Sequence, residues 1–156
     1  MKKAIVSAFV VFTSLPVLTH AATGTASTEF KVKITVNESC KFTAAQDVQF
    51  SPVDRSTNMT STATGQLNIT CTLSTPYKIA LAGNGEMSSM TAGSQSKVPY
   101  TLYQDSANTT EWDVKNLLSS TGSGKDQLIP VYAKLAGNTN VEAGDYVDTV
   151  VATVTY

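Results

Sequence analysis

Few side chains of this 156-residue chain are suited to catalysis. The single histidine is His20, and the nearest approach to a pair of catalytic carboxylates is Glu111 with Asp113, on either side of Trp112. Alternate residues of a strand lie on one face, where two carboxyl groups could serve a carbohydrate hydrolase as acid and base. The histidine lies in a segment that we expect to be removed, and no glycine-rich turn precedes a helical pattern that could hold phosphate. We therefore expect neither an enzyme nor a bound cofactor.

Cys40 and Cys71 could form a disulfide or half of a metal site. A pair of cysteines in an oxidising compartment closes into a disulfide, whereas zinc usually takes four ligands. Without His20, no further cysteine or histidine is left to complete such a set. We predict a structural disulfide and no metal site; the alternative is two free thiols or half of a metal site.

The start of the chain has the pattern of a secretory signal peptide. Lys2 and Lys3 precede an apolar run at 4–17, which is shorter than the roughly 20 residues of a membrane-spanning helix. We predict a signal peptide at 1–21, cleavage after Ala21, export, and no stable membrane insertion. Without the two lysines the chain has an excess of acidic residues, so nucleic acid is not an expected partner.

Apolar and polar residues alternate with a period of two through much of the remaining chain, which is typical of half-buried strands. The clearest case is Phe30–Val36, with Lys31 and Lys33 on its polar face. Turn-rich stretches separate the alternating segments, and the whole predicts one antiparallel β-sandwich. Further strands are predicted at Gln66–Leu73, Tyr77–Leu81, Val98–Tyr103, Leu128–Leu135 and Asp145–Tyr156.

Two short segments, Asp47–Phe50 and Trp112–Leu118, have no clear assignment. One interpretation of Leu117 and Leu118 is a single helical turn. Three prolines are expected at or near strand starts, where a missing N–H costs least. They are Pro76, Pro99 and Pro130.

The last predicted strand, Asp145–Tyr156, runs to the end of the chain and places five side chains on one face. An apolar strand at the edge of a sheet is a template on which another chain can add a strand. Assembly with other chains is therefore the leading functional hypothesis. The face consists of Tyr146, Val150, Ala152, Val154 and Tyr156.

Several segments together resemble the spore coat protein U domain, the fold of subunits of archaic chaperone–usher pili. The resemblance covers nearly all of the chain after the signal peptide. Asp113 departs from it, because the family usually has a glycine there. The matching segments are Asn37–Cys40, Asn68–Cys71, Tyr100–Asp105, Trp112, Ile129–Tyr132 and Ala143–Tyr156.

The resemblance implies an all-β, incomplete immunoglobulin-like antiparallel sandwich that lacks its final strand and is completed by a donor strand. In the family a periplasmic chaperone supplies that strand first, and the N-terminal segment of the next subunit replaces it at the outer-membrane usher. On this basis 22–36 is a donor segment merging into the first strand, and 37–156 is the pilin domain. The donor face would consist of Thr28, Phe30, Val32, Ile34 and Val36.

Each of these interpretations has an alternative in ordinary packing. Phe30–Val36 could be the first strand of the chain's own sandwich, and an aromatic group could be core and rim packing or a sugar-binding patch. We interpret Asp145 as a turn former and Asp148 as a local hydrogen-bond acceptor, with calcium binding as the alternative. The aromatic group comprises Tyr100, Tyr103, Trp112 and Tyr132.

The sequence and the resemblance together predict a structural subunit of a surface pilus that supports adhesion or biofilm formation. Its expected partners are the periplasmic chaperone, the outer-membrane usher and neighbouring subunits, most simply copies of the same chain. A monomeric secreted or coat-associated domain, or a pilus-tip adhesin, is the alternative. A monomeric domain would lack the alternating N-terminal segment or use it internally.

Overall fold

The structure is a computed structural model that describes residues 23–57, 60–135, 137 and 139–156. The predicted signal peptide at 1–21 lies outside the described residues. The chain divides into two units, 1–35 and 36–156. Within the described ranges, no helix is long and apolar enough to cross a membrane.

The described part of the second unit contains nine strands and no helix. All strand pairs are antiparallel. The strands are β1 (Cys40–Gln46), β2 (Thr62–Cys71), β3 (Pro76–Ala82), β4 (Glu86–Ser89), β5 (Lys97–Tyr103), β6 (Leu118–Thr121), β7 (Asp126–Leu135), β8 (Tyr146–Val147) and β9 (Val151–Thr155).

The strands form two sheets with the core between them. One sheet has the order β1-β2-β7-β5-β4-β8 and the other the order β6-β3-β9. Alternate residues of β3, β5 and β7 are buried, because an antiparallel sheet packs one face on the core and leaves the other to solvent. This confirms the predicted antiparallel β-sandwich. The core includes Ile69, Tyr77, Ile79, Leu102, Trp112, Val131 and Ala133.

The predicted disulfide is present and joins β1 to β2. Cys40 and Cys71 are directly opposite in the antiparallel register, and their sulfur atoms are 2.04 Å apart. Both residues are buried in the core. The bond therefore links the edge strand β1 to the neighbouring strand of its sheet.

The segment at 112–118 differs from one interpretation of its sequence. Leu118 begins strand β6, which pairs with β3, so the helical turn at Leu117 and Leu118 is wrong. The backbone of Asp113 does not have a positive φ, so this position does not require the conformational freedom of a glycine. Its carboxylate instead accepts hydrogen bonds from the backbone N–H groups of Lys115 and Asn116, each at 2.7 Å.

The predicted strand Asp145–Tyr156 is in fact two strands in different sheets. β8 pairs with β4 in the larger sheet, and β9 pairs with β3 in the smaller one. The chain crosses between the sheets at 148–150. Both halves share one alternation, and a sequence pattern cannot distinguish a straight strand from one that changes sheets at a bend.

Pro130 lies in the interior of β7, further from the strand start than expected. The ladder between β5 and β7 ends at Tyr103 and Tyr132. Pro130 is beyond that end, where β7 pairs with β2 alone. The missing N–H is tolerated because this part of β7 is an edge of the sheet.

The first unit has no strand in its described residues 23–35. Phe30–Val36, the clearest alternation in the sequence, therefore lies outside the nine strands, the first of which starts at Cys40. Phe30, Val32 and Ile34 are 83%, 89% and 88% exposed. A segment with a strand pattern is thus left with its apolar side chains in solvent.

Candidate functional site

A groove of about 650 Å³ opens in the sandwich beside β9. Its floor is formed by apolar residues of the core strands, such as Leu67, Leu81, Leu102 and Val131. Residues after β1 line one wall, and residues from β8 to β9 line the other. The wall residues are Asp47, Val48, Gln49 and Phe50 on one side, and Tyr146, Val147, Asp148, Thr149, Val150 and Ala152 on the other.

The first wall is the segment 47–50, which the sequence left unassigned. Val48 and Phe50 are partly buried and pack against the core, while Asp47 and Gln49 are exposed. The segment lies close to Gly65 of β2, where an added Cβ would be 2.7 Å from the Val48 Cγ2 atom. The signal for this wall in the sequence is the two-residue spacing of Val48 and Phe50.

The second wall includes β9, which has one free edge. β9 pairs with β3 from Val151 to Thr155, and no strand within the described ranges pairs with its other edge. Ala152 and Val154 pack against the core, whereas Val151 is 57% exposed. The unpaired edge therefore presents backbone donors and acceptors beside an apolar groove.

Two crossings between the sheets lie side by side at one end of the groove. β3 leads to β4 through 83–85, and β8 leads to β9 through 148–150. An added Cβ at Gly83 would be 2.9 Å from both the Tyr100 hydroxyl oxygen and the Val150 Cγ2 atom. A larger residue at this position would therefore force the two crossings apart.

Hydrogen bonds to Asp148 connect these two crossings. Its carboxylate accepts hydrogen bonds from the Asn84 backbone N–H at 2.8 Å, the Asn84 Nδ2 at 2.6 Å and the Tyr100 hydroxyl at 2.7 Å. It also accepts one from the adjacent Thr149 N–H at 2.9 Å. The predicted local contact is therefore present, but three of the four bonds are long-range and were not visible in the sequence.

Burial and hydrogen bonding act in opposite directions on Asp148. Burial raises the pKa of its carboxyl group, but hydrogen bonds from Tyr100 and Asn84 outweigh it and hold the pKa below the ordinary value. The pKa of Tyr100 is raised, first by burial and then by the hydrogen bond to Asp148. Asp148 is thus an ionised acceptor and Tyr100 a neutral donor at neutral pH.

The residues predicted for the C-terminal face divide into two groups. Tyr146, Val150 and Ala152 line the groove. Val154 packs against the core, and Tyr156 is 54% exposed. For Asp145, the structure shows a backbone carbonyl that accepts a hydrogen bond from the Met90 N–H at 2.8 Å.

The residues predicted for the donor face all lie at solvent-exposed positions. Thr28 is exposed, Val36 is 78% exposed, and the three residues between them on the same face are more exposed still. They are spaced two residues apart, which is about 6.6 Å along an extended strand.

The aromatic group is mainly core. Trp112 and Tyr100 are 2% and 8% exposed, and the Trp112 indole N–H donates to the Ile79 carbonyl at 2.9 Å. Tyr103 and Tyr132 are partly buried and face each other across β5 and β7. This arrangement fits core and rim packing.

Glu111 and Asp113 show no arrangement for acid–base catalysis. Glu111 is exposed and forms an isolated bridge with Tyr103. The pKa of Asp113 is lowered by the hydrogen bonds from Asn116 and Lys115, whereas a general acid needs a raised pKa. Across the described ranges, no cluster of three metal-binding side chains is found.

Among solved structures, one match is a chain in the CsuC–CsuE chaperone–tip adhesion subunit pre-assembly complex from archaic chaperone–usher Csu pili of Acinetobacter baumannii. The two chains are 24% identical with a TM-score of 0.57, and the match covers 78% of this chain and 41% of that chain. The likeness supports the predicted immunoglobulin-like sandwich. This chain spans less than half the length of the chain that it matches.

A second match is weaker. It is a chain of a chaperone–tip adhesin complex described for CFA/I fimbriae, with 16% identity, a TM-score of 0.41, and coverage of 81% of this chain and 40% of that one. A search of curated protein sequences returns no match.

The sequence matches a family model over most of its length. Residues 26–153 match the model of the Spore Coat Protein U domain. The matched range contains both cysteines and all of the groove-lining residues. The chain therefore belongs to the spore coat protein U domain family.

Proposed function

We propose that this protein is a structural pilus subunit that accepts a strand in its groove and donates its own N-terminal segment to a neighbouring subunit. The observation that carries the proposal is the apolar groove beside the unpaired edge of β9. An added strand would hydrogen-bond to β9 and cover the groove at the same time. This is β-strand addition.

The N-terminal segment supports the donor half of the proposal. Its apolar side chains at Phe30, Val32, Ile34 and Val36 are 78–89% exposed, and they share one face of an extended strand. Burial of each large apolar side chain would contribute roughly 1.5–3 kcal/mol. A shift by one residue would bring Lys31 and Lys33 into the apolar groove, so only registers that keep the alternation are favourable.

A donor segment and an acceptor groove on one chain produce head-to-tail contacts. Contacts of this kind do not close on themselves and therefore grow filaments. Before assembly, a periplasmic chaperone would fill the groove, and an outer-membrane usher would be the place of exchange. The protein would then be exported through the periplasm to the cell surface, where the pilus supports adhesion or biofilm formation.

The test is a charged substitution on the donor face. Ile34→Asp should leave capture by the chaperone normal and abolish fibres, because the carboxylate would have to enter a neighbour's apolar groove at a cost of several kcal/mol. Chaperone co-purification and fibre yield by electron microscopy are measured on the same cells. Thr35→Asp is the matched control, since it adds the same charge one residue later on the outward face.

Two outcomes would contradict the proposal. Fibres that form normally from Ile34→Asp subunits would show that this segment is not the donor. Loss of both chaperone capture and fibres, with Thr35→Asp unaffected, would show that Phe30–Val36 belongs to the subunit's own fold.

A further inference from the structure

Because apolar residues recur at every second position of the N-terminal segment, this pattern alone does not fix the register in which the segment enters the groove. A shift by one residue reverses the two faces of a strand, but a shift by two keeps them. Thr28, Phe30, Val32, Ile34 and Val36 would all still point inward after a two-residue shift. A further feature is needed to exclude some of these shifted registers.

The wall of the groove carries a charge suited to this selection. Asp47 and Asp148 are the charged residues among those that line the groove, and both are acidic. Asp148 already accepts four hydrogen bonds. Asp47 is exposed, and no ion pair to it is found within the described ranges. Its carboxylate is therefore available to an incoming strand.

The alternation of the wall fixes which side of an incoming strand Asp47 would meet. Val48 and Phe50 pack inward, so Asp47 and Gln49 face outward at the rim. A strand that places its apolar residues inward presents its other face beside these two residues. On the N-terminal segment that outward face consists of Glu29, Lys31, Lys33 and Thr35.

We propose that Asp47 restricts the register of the inserted strand to the two that place Lys31 or Lys33 of a second copy of this chain beside it. The inference rests on the proposed function and names the occupant of the groove. Registers that place a lysine beside Asp47 are favoured, and a register that places Glu29 there is disfavoured by like charge. Asp47 is thus a specificity residue for self-assembly.

The expected effect is modest because the pair is exposed. A surface ion pair changes an equilibrium by about two- to fivefold, and salt weakens it. The difference between an attractive and a repulsive register is larger than either interaction alone. A difference of this size would decide between registers whose apolar contacts give nearly equal binding free energies.

The test uses the exported chain with a copy of residues 28–36 appended after Tyr156 through a flexible linker. Tethering gives this copy a high effective concentration at the groove. Asp47→Lys in the chain, or Lys31→Glu with Lys33→Glu in the appended copy, should each lower the melting temperature by about 1–4 °C. The chain with both changes should regain most of the loss, and the differences should shrink in 0.5 M salt.

Asp54→Lys is the matched control, because Asp54 is exposed and does not line the groove. It should change the melting temperature by the same amount with the unchanged appended copy as with the copy that carries Lys31→Glu and Lys33→Glu. Asp47→Asn provides a second cycle that removes the charge without adding one, should Asp47→Lys fail to fold.

The outcomes separate this inference from the proposed function. Additive losses with no recovery in the doubly changed chain would overturn the role of Asp47 while leaving strand acceptance intact. An appended copy that gives no gain in melting temperature would overturn strand acceptance itself, and the pairing with it.

Discussion

The two sides of the sandwich differ in how completely their core is covered. Around Ile79 and Trp112, the side chains are at most 2% exposed and the indole N–H is hydrogen-bonded. Along the groove, Val48, Phe50 and Val150 pack against the same core but stay partly exposed. The sequence patterns of the two sides are alike. The difference lies in how far other residues cover them, and the half-covered side is the one on which we propose that a strand adds.

The largest expected effect contrasts one residue from each side. Trp112→Ala should destabilise the chain by about 3–5 kcal/mol, because it leaves a cavity in a closed core. Phe50→Ala should cost less, because Phe50 is already partly exposed. Urea denaturation of both variants, with and without the appended strand, measures the contrast.

An inserted strand in the groove should reduce the difference between the costs of these two substitutions. With the appended strand in place, the cost of Phe50→Ala should rise toward that of a buried phenylalanine, while the cost of Trp112→Ala should not change. An equal cost of Phe50→Ala in the two forms would mean that the strand does not enter this groove.

The disulfide gives the next largest effect. Cys40 and Cys71 are 31 residues apart in sequence, and closing such a loop stabilises a fold by roughly 3–4 kcal/mol on the chain-entropy account. Both thiols should resist alkylation until a reductant is added, as read by intact mass. Reduction should then lower the melting temperature. Labelling of both thiols in the native, unreduced protein would contradict the bond.

The smallest of these effects concerns the Asp148 corner and pH. The pKa of Asp148 is lowered in the fold, so its stabilisation is full above the ordinary carboxyl pKa and is lost as pH falls from about 4 toward the folded pKa. Asp148→Asn should therefore cost about 1–3 kcal/mol at pH 7 and flatten the loss of stability below pH 4. Thermal melts from pH 2 to 7 measure both.

Asp126 provides the control for that experiment. Its pKa is also lowered, first by the hydrogen bond from Thr43 and then by that from Asn68, but it lies outside the groove. Asp126→Asn should alter the loss of stability at low pH without changing the stabilisation by the appended strand. If both variants reduce that stabilisation equally, Asp148 has no special role in shaping the groove.

Much of the fold could be predicted because local pattern and burial agree. Four predicted strands, among them Gln66–Leu73 and Leu128–Leu135, match observed strands with small shifts at their ends. β4 and β6 were missed because four residues are too few for a clear alternation. β1 was missed because it alternates weakly and contains an irregularity between Phe42 and Ala44.

By itself, the sequence determined the sandwich class, the disulfide between Cys40 and Cys71, and the alternating face of Phe30–Val36. Each of these depends on residue type and spacing along the chain. The tertiary structure alone decided that Asp145–Tyr156 changes sheets, that Asp47–Phe50 lines a groove, and that Asp148 reaches Asn84 and Tyr100. Those features bring together segments that are distant in sequence, and a periodicity of two contains no information about which distant edge or side chain will be the neighbour.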